Sequence, residues 1–108
     1  MRRGDIYRVF KPKQDHPKRY RFYVVVSRQE LLDSAFSTAV CAPVYTKGHR
    51  LTTEVAVGIA DGLKHESWIT CDNLRSIPKS ALTDFVASLS DAKMSHLNEA
   101  LSIALDLS

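Results

Sequence analysis

Between residues 5 and 89 the chain offers one short run of β-branched and aromatic residues after another, and a sustained helical period occurs once, at the C-terminal end. Residues 5–10, 22–27, 38–46, 52–58, 67–71, 73–78 and 85–89 read as strands, broken by Pro, Gly, Asn and Asp. This order lacks the strand–helix alternation of a parallel α/β fold. It predicts a mainly β protein, a small and strongly curved antiparallel barrel closed by one helix. With 108 residues, 1–108 is expected to form a single domain with one modest core.

Several runs carry more specific expectations. Residues 22–26 (Phe-Tyr-Val-Val-Val) do not alternate with polar residues, so this strand should be covered on both faces, by the terminal helix or by a second subunit. Pro43 removes a ladder donor from the third strand and points to an edge or a bulge late in that strand. Gly48, in the turn Lys47-Gly-His-Arg50, is available for a positive φ. Residues 28–35 form a helical turn or a loop excursion, and residues 79–84 a single helical turn.

Ser90 is a suitable N-cap for the terminal helix, with Asp91 favourable in its first turn. Met94, Leu97, Leu101 and Leu105 recur at helical spacing, and Ala100, Ile103, Ala104 and Leu107 widen the apolar face beyond what a surface helix needs. Either a deep groove or a second copy of the chain would cover so wide a face.

The charge is unevenly spread. Residues 1–50 hold eleven Lys/Arg against four Asp/Glu (+7), and residues 51–108 hold four against eight (−4), which together give the net +3. A basic N-terminal half is expected to present a face to a polyanion. No apolar run approaches the roughly 20 residues that span a bilayer, and no apolar signal segment follows Met1-Arg-Arg-Gly-Asp5, so a cytoplasmic setting is expected. Cys41 and Cys71 lack CxxC spacing and are expected to pack as reduced thiols. His16, His49, His65 and His96 show no zinc spacing, and no Gly-rich phosphate loop or nucleophile triad is present. Neither a metal nor another cofactor is expected.

What remains is a basic cluster with aromatics set into it. Residues 11–20, kept from a regular helix by Pro12 and Pro17, contribute Lys11, Lys13, His16, Lys18, Arg19 and Tyr20; residues 45–50 contribute Tyr45, Lys47, His49 and Arg50. Cations for phosphates and aromatic rings for stacking suit a groove for single-stranded nucleic acid. RNA supplies its own nucleophile, the ribose 2′-OH, so an enzyme need only orient it, stabilise the charged phosphorane and manage protons. Arg21, fixed at the start of a strand, offers a guanidinium fork for the phosphate, and a hydroxyl from Thr46 or Tyr45 on a facing strand end would complete a pair.

The segments Met1-Arg-Arg-Gly-Asp-Ile-Tyr7, Arg21-Phe-Tyr-Val-Val-Val-Ser27, Ala42-Pro-Val-Tyr-Thr46, Cys71-Asp-Asn-Leu-Arg-Ser-Ile77 and Glu99-Ala-Leu-Ser-Ile-Ala-Leu105 together resemble the MazF/PemK family of toxin endoribonucleases over essentially the whole length. The resemblance implies an SH3-like barrel with a terminal helix and a homodimer. It also implies metal-independent cleavage of single-stranded RNA to a 2′,3′-cyclic phosphate, and neutralisation by a cognate antitoxin protein. It assigns Arg21 to catalysis and Thr46 as its hydroxyl partner. Many members carry that hydroxyl one position earlier, at Tyr45 here, and a bulge near Pro43 would restore the direction of Thr46. Asn73, in the matched segment opening at Cys71, joins the expected RNA-binding set. The chain departs from some members at Phe22, where they have proline, and near His16, where they have a loop glutamate. A gyrase-binding toxin of the CcdB family, on the same fold, and a non-cleaving nucleic-acid-binding module are the rival readings. The ending Leu105-Asp-Leu-Ser108 lacks the aromatic residue of the CcdB type.

Overall fold

The computed structural model describes residues 1–10 and 19–107. In chain order they form Asp5–Phe10 (β1), Tyr20–Val25 (β2), Gln29–Asp33 (α1), Thr38–Tyr45 (β3), Glu54–Val57 (β4), Ser67–Thr70 (β5), Arg75–Pro78 (β6), Asp84–Ser88 (β7) and Asp91–Ala104 (α2). Single 3-10 turns lie at Ile59–Asp61, Cys71–Asn73 and Lys79–Ala81. The strands make one seven-stranded antiparallel sheet in the order β4-β5-β3-β2-β1-β7, with β6 also paired to β3. The sheet curls into a half-barrel carrying one long C-terminal helix, the mainly β, strongly curved architecture expected from the run of short strands and the SH3-like barrel that the resemblance implies.

β3 positions the rest. One edge pairs with β2, from Phe22 opposite Val44 to Val25 opposite Cys41. The other edge is shared: Thr38 to Cys41 pair with β6, and Val44 and Tyr45 pair with β5. Pro43 falls at the change of partner, fully buried and opposite Tyr23. It is therefore neither on an edge strand nor at a bulge, since the β2–β3 register runs through it without a shift. A residue without an N–H is tolerated there because no strand pairs with that position on the β5/β6 side. Thr46 thus follows a regular strand end, without the bulge expected to redirect it.

Alternation along the strands sorts two cores onto the two sheet faces. Ile6, Val24, Ala42, Val44 and Ile69 pack with Leu97 and Leu101 of α2. Tyr7, Val9, Tyr23, Val25 and Cys41 face the other way and pack with Leu32, Ile77 and Leu82. The apolar run of β2 is covered twice, as expected, but the second cover comes from α1 and residues 77–82 of the same chain. Lys79 secures that cover by donating through Nζ to the carbonyls of Leu31, Leu32 and Ser34 at the end of α1.

Ser90 caps α2, its Oγ accepting from the Lys93 amide at 3.2 Å. The helix buries Leu97, Ala100 and Leu101, with Met94 and Ala104 partly buried beside them. Ile103, Leu105 and Leu107 stay about half exposed or more, at 47%, 53% and 63%. Among the described residues no deep groove covers them. Cys41 and Cys71 are free and buried in opposite cores, and burial pushes their thiols up to about 12 and about 11. Among the described residues no helix is long and apolar enough to cross a membrane.

Candidate functional site

Arg21 lies near the start of β2 and Tyr45 ends β3. The register that pairs Phe22 with Val44 brings these two residues side by side on neighbouring strands. The Arg21 guanidinium carbon sits 4.7 Å above the Tyr45 ring, a cation–π contact that limits where the fork can point. Tyr45 is held in turn, its hydroxyl accepting from Asn73 Nδ2 at 3.0 Å. The turn bearing Asn73 is pinned to the start of β4: Thr53 Oγ1 donates to Asp72 Oδ2 at 2.6 Å, and the Cys71 amide donates to the Thr53 carbonyl at 3.0 Å. A relay of side chains from three parts of the chain therefore fixes the arginine.

Around this pair opens a cavity of about 610 Å³. Its walls include Arg19, Tyr20, Arg21, Tyr45, Thr46, Lys47 and Asn73 of the expected site residues, whereas Arg50 of the same basic cluster does not line it. Lys11, Lys13, His16 and Lys18 lie outside the described residues. Phe22 and Val44 form an apolar floor, and His49 and Thr70 complete the lining. The cavity is open, basic and part aromatic, the combination that holds a phosphodiester with an unstacked base beside it.

The turn after β3 has an anchor that the sequence does not announce. One carboxylate oxygen of Glu54 accepts from the amides of His49 and Leu51, at 2.9 and 3.0 Å. The positive φ in this turn belongs to Arg50, at 56°, and Gly48 does not adopt one. Gly48 is required for another reason: a Cβ there would lie 2.7 Å from the Trp68 ring, so the turn packs directly on the indole. These two constraints place Lys47 and His49 at the cavity mouth.

Thr70 was missed because a threonine inside a short strand carries no signal of its own. Its Oγ1 is buried next to the cavity and has no hydrogen-bond partner among the described residues. An orphaned hydroxyl costs stability and is a group that a ligand or water can satisfy. Among the described residues no three His, Cys, Asp or Glu side chains gather closely enough to hold a metal ion.

Comparison with known proteins bears on this geometry. Residues 2–105 match the family described as PemK-like, MazF-like toxin of type II toxin-antitoxin system. The chain is 31% identical over 84 residues to endoribonuclease MazF3 of Mycobacterium tuberculosis, covering 78% of this chain and 82% of that protein. Its fold is similar to that of Mycobacterium tuberculosis toxin MazF-mt6, with a TM-score of 0.82 and 26% identity over 96% of this chain and 98% of the other. A mycobacterial endoribonuclease solved in complex with its cognate antitoxin is equally similar, with a TM-score of 0.82 and 25% identity over 98% and 95% of the two chains.

Proposed function

The chain belongs to the PemK-like, MazF-like toxins of type II toxin–antitoxin systems, and on that footing we propose that it cleaves single-stranded RNA in the cavity between Arg21 and Thr46. The observation that carries this reading is the convergence of Arg19, Tyr20, Arg21, Tyr45, Thr46, Lys47 and Asn73 on that one cavity. Family membership and the relatives named endoribonuclease make RNA cleavage the activity to expect of such a site.

In this reading the RNA backbone lies along the basic wall, with a base against Tyr20. The ribose 2′-oxygen forms a bond to phosphorus and the bond from phosphorus to the 5′-oxygen breaks, leaving a 2′,3′-cyclic phosphate and a 5′-hydroxyl. The proton of the 2′-OH leaves to a base, and a proton reaches the departing 5′-oxygen. Arg21 donates to the phosphoryl oxygens as their charge grows, and Thr46 adds a hydroxyl donor. The Tyr45–Asn73 contact keeps the guanidinium in place before substrate arrives, which lowers the cost of ordering it during reaction. His49 lines the same cavity, and an imidazole is suited to either proton transfer.

The protein acts as a single unit spanning residues 1–108, in the cytoplasm, and as a homodimer. The exposed apolar side chains of Ile103, Leu105 and Leu107 support the dimer, because nothing among the described residues covers them. A cognate antitoxin occupies the basic groove and blocks RNA, in keeping with the antitoxin-bound relative. The test is incubation of purified protein with single-stranded RNA in EDTA, followed by analysis of product termini. Cyclic phosphate ends are expected; intact RNA from a protein that still arrests growth when expressed would sink the reading.

A further inference from the structure

Cleavage needs a group that takes the 2′-OH proton, and the side chains around Arg21 differ in their capacity to be that group. Donors are plentiful: the guanidinium groups of Arg19 and Arg21, the Lys47 ammonium, the Thr46 hydroxyl and the Asn73 amide all line the cavity. Proton acceptors are scarce. Among the described residues no Asp or Glu lines the cavity. Arginine and lysine side chains already carry their protons at neutral pH, and threonine, asparagine and un-ionised tyrosine are feeble bases there. Of the side-chain types in the lining, imidazole alone ordinarily changes charge between about pH 5 and 8, and His49 carries it. We propose that His49 is the general base of the reaction. The proposal rests on the ribonuclease reading and deepens it.

The backbone around His49 is restrained from three sides. Its amide donates to Glu54 Oε1 at 2.9 Å, and the Leu51 amide donates to the same oxygen at 3.0 Å. Before it, Gly48 lies so near Trp68 that a Cβ would come within 2.7 Å of the ring. After it, Arg50 is held at a φ of 56°, a left-handed conformation that a residue with a side chain adopts at a cost. A solvated turn has no need of such restraint, whereas a base that must meet one hydroxyl does. The His49 side chain is itself exposed at the cavity mouth, where a substrate can reach it.

The charged and titratable groups around the imidazole come from four places. Lys47 and Arg50 flank it in the turn, Arg19, Tyr20 and Arg21 approach from around the start of β2, Tyr45 ends β3, and Glu54 begins β4 with Oε1 engaged by the backbone. In the proposed step the neutral imidazole accepts the 2′-OH proton as the 2′-oxygen bonds to phosphorus. The bond from phosphorus to the 5′-oxygen breaks, the 5′-oxygen takes a proton from water, and the imidazolium returns its proton to the hydroxide so formed.

The test is single-turnover cleavage of a saturating single-stranded RNA from pH 5 to 9, in wild type, His49→Gln, His49→Ala and His16→Gln. His16 is the other histidine of the basic cluster and lies outside the described residues. The wild-type rate should rise with pH while imidazole loses its proton and then level off. His49→Gln should lower the plateau by on the order of 10²–10⁴ and abolish the inflection, while its melting temperature and its affinity for a non-cleavable 2′-deoxy substrate stay near wild type. Free imidazole should restore part of the rate to His49→Ala and add nothing to wild type. His16→Gln should keep the inflection. An inflection that survives in His49→Gln, or that vanishes in His16→Gln instead, would overturn the assignment and leave the ribonuclease standing. A wild-type protein that cuts no RNA removes the ribonuclease reading and the assignment with it.

Discussion

The guanidinium of Arg21 rests 4.7 Å above the ring of Tyr45, and the hydroxyl of that ring accepts from Asn73. Among the described residues the arginine is thus placed by an aromatic face rather than by a carboxylate. A carboxylate partner would hold it equally well but would cancel the charge that a phosphate needs. An aromatic face leaves all the guanidinium hydrogens available, and the positive charge is left to the substrate.

This relay makes Tyr45 and Asn73 separable. Tyr45→Ala removes the ring, worth about 0.5–2 kcal/mol, and should lower the single-turnover cleavage rate by roughly two- to thirtyfold. Tyr45→Phe keeps the ring and loses only the hydrogen bond, worth about 0.5–1.5 kcal/mol. It should match Asn73→Ala, with no further loss in the double variant. A Tyr45→Phe rate as low as that of Tyr45→Ala would show that the hydroxyl itself acts on RNA.

The turn after β3 should fail in two distinct ways. Glu54→Ala removes the acceptor for two amides, so amide exchange at His49 and Leu51 should quicken and KM should rise while the melting temperature barely moves. Gly48→Ala forces a methyl group into the Trp68 ring. Because the chain has one tryptophan, a shift in its emission reports the displaced turn directly. Unchanged emission and KM in both variants would show that this turn does not need its present shape.

Much of this architecture was legible in the sequence, and the exceptions have physical causes. Strand runs could be located because buried strands concentrate β-branched and aromatic residues, and the double cover of β2 followed from its unbroken apolar run. The cover's source could not be read, because residues 77–82 are brought to it by the pairing of β6 with β3, which no local pattern announces. Pro43 misled because the rule against proline in central strands assumes a partner along the whole edge, and β3 changes partner there. Gly48 misled because glycine serves close approach as well as positive φ. Arg21, Tyr45 and Thr46 were recognisable as strand-end residues, whereas Glu54 and Thr70 act through contacts that have no sequence pattern.

Stability should fall in alkali for a reason seated in the core. Burial raises the Cys41 and Cys71 thiols from 9.0 to about 12 and about 11, and Tyr7 is raised from 10.0 by burial and by nearby Asp5. These groups keep their protons longer in the folded state than in the unfolded chain. Their contribution is complete below about pH 9 and is lost as pH rises toward 11–12, since the unfolded state ionises first. Melting temperature should drop over that window, and Cys41→Ala with Cys71→Ala should flatten the slope. An unchanged slope in the double variant would assign the alkaline loss to other groups.

The account stands most directly on Arg21. Single-turnover cleavage of a saturating single-stranded RNA should fall by about 10²–10³ in Arg21→Ala, the usual loss on removing one donor to a developing oxyanion. Its thermal melt should stay within a few degrees of wild type, since the side chain is only partly buried. A folded Arg21→Ala protein that cuts RNA at the wild-type rate would contradict the account.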